Sequence, residues 1–238
     1  MMKLIKAEYS GPDSDDDLNF DIEVAYENKS DHDVEWVKSS CLILNKSGIV
    51  IGGNQDDETD VYIEPGETET FSVWSPYLKG ANFAGDLGNN EIIVDSTFYR
   101  TEFHKMGEHS VPESTEKPSL IENGFDIGDM IKVLGTNIFL QPEDEEGEQG
   151  IEVKVGIRNV SDVHFEKVEL KAELLDKKGN EIEESFDYFA TNAFSSRTLT
   201  ASFWGQKPSR LKSCTIKLSF TIYQPISSAT VTGKIKKG

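Results

Sequence analysis

The chain has 238 residues, 37% of them hydrophobic and 10% aromatic, and a net charge of -19 from 43 acidic and 24 basic side chains. That is enough apolar material for a core, and a surface too acidic to favour a phosphate backbone or an anionic membrane. No window approaches about 18 consecutive apolar residues, which excludes a transmembrane helix, and two cysteines, Cys41 and Cys214, exclude a disulfide scaffold.

The pattern along the chain is period-2 alternation rather than a helical period. Leu4 to Tyr9 reads as a leading strand, followed by the acidic loop Asp13-Ser14-Asp15-Asp16-Asp17. Phe20, Ile22, Val24 and Tyr26 then alternate with polar or small residues, the mark of a strand with one buried face. A polar turn, Asn28-Lys29-Ser30-Asp31, leads to the apolar positions Val34, Val37, Cys41 and Ile43, and Lys46-Ser47-Gly48 reads as a hairpin. After the acidic cluster Asp56-Asp57-Glu58-Thr59-Asp60, Glu64-Pro65-Gly66-Glu67 fits a type II turn with Gly66 at the positive-φ position. Thr70 to Trp74 is a further strand.

The second half repeats the first. Residues 22–51 align without gaps on 153–182, so that Asn28, Ser30 and Asp31 fall on Asn159, Ser161 and Asp162, and Gly48 falls on Gly179. Ile131 to Leu140 is the second leading strand and Glu143-Asp144-Glu145-Glu146-Gly147-Glu148 the second acidic loop. Ile151 to Ile157 and Cys214 to Ile222 show the same alternation. Between the copies, the stretch from His104 to Asn123 is rich in Gly, Pro and Ser and poor in apolar residues. The expected organisation is a first β-sandwich at 1–108, a linker at 109–123 and a second β-sandwich at 124–238.

The motif set resembles the FxLYD-type bacterial immunoglobulin-like β-sandwich. The resemblance rests on a strand ending in Asn-x-Ser, a hairpin at Ala172-Glu173-Leu174-Leu175-Asp176-Lys177-Lys178-Gly179, its counterpart Cys41 to Gly48, and the Pro65-Gly66-Glu67 turn before Phe71. Ala172 and Leu175 replace the family's Phe and Tyr, Asn45 replaces its Asp, and the Pro-Gly-Glu turn occurs in the first copy alone. The resemblance implies an all-β chain of two tandem immunoglobulin-like antiparallel sandwiches and a non-catalytic role, the latter by analogy.

No nucleophile elbow, P-loop, dinucleotide-binding glycine motif or paired C-x-x-C occurs, so no enzyme activity is expected. No cofactor or metal is expected either. His104 and His109 are five apart, and the Asp13–Asp17 loop lacks the glycine and glutamate of an EF-hand. Both cysteines sit on apolar rows, as inert core thiols would. Trp74 and Trp204 match across the repeat and are expected in the core. Trp36 aligns with Lys167, an outward position, and is expected as an exposed contact residue together with Tyr77 and Phe83 of a loop unique to the first copy. Asp56, Asp57, Glu58 and Asp60 complete the candidate contact surface.

Charge is polarised. Residues 1–110 carry 23 acids and 8 bases, a net of -15, whereas the 51 residues after Asp187 carry eight bases and no acid. The expected function is a non-enzymatic protein–protein interaction module with a protein partner, a basic one in one reading, and with self-association as a further option. The alternatives are an acidic inhibitor or immunity-type protein, and an envelope or secreted structural module. The first residues lack an apolar run and a cleavage site, and the scarce cysteines suit a reducing compartment, so a cytoplasmic location is expected.

Overall fold

The structure is a computed structural model that describes residues 1–12, 18–74, 78, 87–88, 90–121, 126–127 and 130–238, with the backbone alone at 56, 121, 126 and 127. The described residues are nearly all β, with one short helix, α1 (Pro208–Leu211). The strands are β1 (Met2–Ser10), β2 (Asn19–Glu27), β3 (Val34–Leu44), β4 (Val50–Ile63), β5 (Thr68–Val73), β6 (Glu91–Ser110), β7 (Ser119–Ile121), β8 (Asp126–Ile127), β9 (Ile131–Leu140), β10 (Gln149–Asn159), β11 (Phe165–Leu175), β12 (Glu181–Thr191), β13 (Ser196–Gln206), β14 (Thr215–Lys234) and β15 (Lys236–Lys237).

These strands form two compact units. Unit 1 comprises Met1–Thr101 and Pro225–Gly238, and unit 2 comprises Glu102–Gln224. The division differs from the sequence-based boundaries at both ends. Ser110 still belongs to β6, and the last fourteen residues pack with unit 1 rather than with the copy that precedes them. Nothing in local composition marks Gln224 as a boundary, because β14 runs through it without a turn.

In unit 1, one sheet has the order β15-β1-β2-β5, and β4-β3-β6-β14 form the facing one. Alternation puts Ile22, Val24 and Tyr26 of β2 inside, against Val37, Cys41 and Ile43 of β3 and Ile92, Val94 and Phe98 of β6. The Tyr26 ring stacks on Phe98 at 3.5 Å between centroids, and Phe71 meets Phe98 edge-on at 6.2 Å. In unit 2, β13-β10-β9-β7 face a layer built from β12, β11 and β14. Val153, Val155 and Ile157 of β10 pack there against Val168, Leu170 and Leu174 of β11 and Ile216, Leu218 and Phe220 of β14. Among the described residues each unit thus has its own apolar core, and the chain has the layered, sandwich-like character of an all-β protein.

The Asn-x-Ser turns do more than reverse the chain. Asn28 Oδ1 accepts from the Ser30 amide at 3.0 Å and from the Ser30 hydroxyl at 2.7 Å, which makes the expected Asx turn. Its Nδ2 donates to the His32 and Ile63 carbonyls, each at 2.8 Å. Asn159 repeats this network with Ser161, the Val163 carbonyl at 2.8 Å and the Asn192 carbonyl at 3.1 Å. Ile63 ends β4 and Asn192 follows β12, so each amide joins the end of one sheet to the other. Both asparagines are buried, at 0% and 1% exposure. The hairpin turns also correspond. Asn45 Oδ1 accepts from the amides of Ser47 and Ile49, Asp176 Oδ1 accepts from those of Lys178 and Asn180, and Gly48 and Gly179 have φ of 75° and 81°. Gly66 has φ of 85° beneath a Glu67 amide to Glu64 carbonyl bond, as the type II turn requires.

Removing either asparagine takes a bifurcated acceptor from its turn and a donor from the opposite layer, at the buried Ile63 carbonyl in unit 1 and the Asn192 carbonyl in unit 2. Asn28→Ala and Asn159→Ala are each expected to cost roughly 2–4 kcal/mol, and Ser161→Ala about 1 kcal/mol, read as shifts in urea midpoint at constant slope.

Candidate functional site

The outward face of β12, β11 and β14 in unit 2 is the best-built surface among the described residues. Val168, Leu170, Ala172 and Leu174 turn inward, so Lys167, Glu169, Lys171 and Glu173 turn outward. Cross-strand register places Phe186 opposite Lys171, Tyr188 opposite Glu169, and Tyr223 opposite Lys167. The Lys167 ammonium lies 5.1 Å from the Tyr188 ring centre and 4.8 Å from that of Tyr223. The Lys171 ammonium lies 5.4 Å from the Phe186 ring. Each cation sits on the electron-rich face of an aromatic ring, a contact worth about 0.5–1 kcal/mol at an exposed site.

Ion pairs fix those lysines in turn. Lys167 meets Glu169 at 3.4 Å, Lys171 meets Glu184 at 2.8 Å, and Lys217 meets Glu173 at 2.6 Å. The Lys217 hydrogen bond, with Lys171 nearby, holds the Glu173 carboxyl below the usual carboxylate range. Phe186 and Tyr188 nevertheless remain 47% and 62% exposed. Two rings are thus held in place and still presented to solvent, a low-entropy contact surface.

The inward face of β12 does different work. Asp187 accepts from the Thr200 amide at 2.6 Å, Ser185 from the Ser202 amide at 3.0 Å, and Glu183 from Gln206 Nε2 at 2.9 Å. Thr200 and Ser202 belong to β13, which ends its sheet, so these side chains satisfy edge groups that would otherwise template another strand. Asp57 does the same in unit 1, accepting from the Trp74 amide at 2.8 Å.

That role places one of the expected contact residues. Glu58 and Asp60 are exposed on β4, beside Tyr62, whose hydroxyl donates to Asp33 at 3.3 Å. The negative charge of Asp33 raises the Tyr62 phenol above its ordinary value. The backbone of Asp56 lies in β4. Tyr77, Phe83 and the Asp13–Asp17 loop lie outside the described residues.

The tryptophans reverse their expected places. Trp36 is buried, at 3% exposure, and packs edge-on against Tyr99 at 4.6 Å. It is not an exposed contact residue. Alignment with Lys167 gives it an outward place, and it does lie off the inward row of Val37, Cys41 and Ile43, but the Tyr99 ring opposite it on β6 packs against it. Trp74 and Trp204 are not core residues but stand 74% and 63% exposed. Phe71 and Val73, and likewise Ala201 and Phe203, point inward, so the tryptophan one position on must point out. The Trp204 ring lies over Gly150, where a Cβ would come within 2.7 Å of it. The period-2 count, carried one residue past Val73 and past Phe203, is the signal that would have found both.

Both thiols are buried as expected, and burial pushes Cys41 up to about 12, which leaves it protonated and unreactive. Burial also holds His109 below its ordinary value, and the Nε2 atoms of His104 and His109 are buried without a hydrogen-bond partner. Among the described residues no group of three or more His, Cys, Asp or Glu is arranged to hold a metal ion.

Layering and surface together define an all-β, sandwich-like protein with a presented aromatic face. No family model and no curated protein matches the chain. Among solved structures, red sea bream transglutaminase is similar at 11% identity and a TM-score of 0.25 over all of this chain and 31% of that one. A structure titled pT26-6p is similar at 6% identity and a TM-score of 0.22 over all of this chain and 66% of that one. The chain thus spans less than two thirds of either protein, and likenesses this weak carry no argument about fold or activity.

Glu173 supplies a pH test of the lysine–aromatic face. Its folded-state pKa is depressed, so its contribution to stability is present above the unfolded value of about 4.3 and is lost as pH falls through the folded value. Glu173→Gln is expected to destabilise the protein by about 1 kcal/mol at pH 7, and the gap to wild type is expected to close as pH falls from the unfolded value through the depressed folded value in parallel denaturant titrations.

Proposed function

We propose that the chain is a non-enzymatic protein-interaction module built from two immunoglobulin-like sandwiches of the FxLYD type. Its contact surface is the outward face of β12, β11 and β14. The observation that carries this reading is the pair of exposed rings, Phe186 and Tyr188, positioned by Lys171 and Lys167. Exposed aromatics contribute little to a monomer, and fixed rings are what interface centres are built from. The cytoplasmic location belongs to the same proposal, supported by two free, buried cysteines. Of the Asn-x-Ser sequons at Asn28, Asn45 and Asn159, the Asn28 and Asn159 amides are buried and fully engaged, which fits it.

A second reading, the acidic inhibitor, draws on the exposed Glu58 and Asp60 beside Tyr62 and on the net charge of -19. Its partner would be strongly basic, and its affinity would fall steeply with salt.

The test compares wild type with Phe186→Ser/Tyr188→Ser and with Glu58→Gln/Asp60→Asn, each immobilised and exposed to lysate of the native host. The aromatic double variant is expected to lose about 1–2 kcal/mol with its two lysine–ring contacts, to stay folded at the assay temperature, and to lose the specifically retained protein. Loss with the carboxylate variant alone would select the inhibitor reading. Equal retention by all three would refute both.

A further inference from the structure

Strand β14 begins in one unit and ends in the other. Its residues up to Gln224 pair with β11 in unit 2, and from Pro225 onward the chain belongs to unit 1. There it lies beside β6. Thr230 Oγ1 donates to Asp95, the Tyr26 and Ser227 hydroxyls meet at 2.7 Å, and the Ile235 amide donates to the Asn90 carbonyl at 3.0 Å. The chain then crosses to the other sheet of the same unit. Lys236 and Lys237 pair in parallel with Glu8 and Tyr9 of β1, and the Gly238 amide donates to the Tyr9 carbonyl at 3.0 Å.

This segment covers one side of the unit 1 core. Ile235 is buried, and Ile226, Ala229 and Val231 pack against the same cluster. Gly233 is packed against the Leu4 side chain, which an added Cβ would meet. The charge fits as well. Residues 225–238 hold Lys234, Lys236 and Lys237 and no acid, while residues 1–110 carry a net of -15.

Every partner named for the segment lies within Met1–Thr101, more than a hundred residues away in the chain. The same bonds form whichever copy of the molecule supplies the strand, and only the connection differs. The connection at Gln224-Pro225 is permissive. Pro225 is exposed and carries no N–H to lose from a ladder. We propose that Pro225–Gly238 is an exchangeable closing strand and that its second binding site is unit 1 of another copy of this chain. The product is a strand-exchanged dimer whose fraction grows with protein concentration, as the effective concentration of the tethered strand is overtaken.

Cysteine pairing across the Asp95–Thr230 contact tests this. The full chain is prepared as Asp95→Cys with one tag, as Thr230→Cys with another, and as the double variant. Mixed, concentrated and oxidised, the two single variants are expected to give a disulfide-linked heterodimer whose yield rises with concentration. The double variant at low concentration is expected to close within one chain. Closure in the double variant with no heterodimer from the singles at any concentration would overturn exchange. Failure of the double variant to close would overturn the pairing on which exchange depends. Two differently tagged wild-type chains provide a readout free of substitutions. Co-purification after concentration and dilution is expected, and its absence counts against the proposal in the same way.

Discussion

In each unit a buried asparagine side chain joins the two sheets through hydrogen bonds to its own turn and to the opposite layer. The Asn28 and Asn159 carboxamides accept from their own turn and donate across to Ile63 and Asn192 at the far layer. Two donors and one oxygen with two lone pairs are all used, so neither side chain leaves an unmet demand inside the core. The tie sits where β2 or β10 leaves its sheet, and it sets where the following strand starts. An apolar residue of equal size would fill the space but take a partner from the turn amide in both units and from the buried Ile63 carbonyl in unit 1, which is the more costly failure.

From these ties the two units differ in how the chain completes them. Unit 2 is one continuous stretch, Glu102–Gln224, whereas unit 1 needs its first 101 residues and its last fourteen. Long-range closure of that kind is entropically costly and is offset here by the apolar contacts of Ile226, Ala229, Val231 and Ile235. It also accounts for part of the charge polarity. The basic end of the sequence, which in isolation looks like a surface offered to a partner, lies on β1 beside Glu8.

Surface carboxylates and aromatics divide the remaining work. Asp57 and Asp187 occupy the amides of edge positions, at Trp74 and Thr200. These acids protect sheet edges from pairing with other chains, a structural duty that an acidic run does not announce. The rings of Phe186 and Tyr188 stand on the opposite face of β12, braced by lysines from β11. One strand therefore seals an edge with one row of side chains and presents a contact surface with the other, which the two-residue period makes possible.

Local rules decided a large part of this protein in advance. Period-2 alternation located β2, β10 and the first half of β14. The repeat predicted the matched Asx turns at Asn28 and Asn159, and turn chemistry predicted positive φ at Gly48, Gly66 and Gly179. Each of these depends on residues within a few positions of one another, so the sequence states them directly. Tertiary structure alone decided the rest. Trp36 is buried against Tyr99, sixty-three positions away, although its place off the inward row of β3 was legible from the repeat. The lysine–aromatic face needs register among three strands, and the last fourteen residues join unit 1 through partners at Tyr9, Tyr26, Asn90 and Asp95. Pairing between distant segments follows from which apolar rows can be buried together, and no single stretch of sequence contains that information.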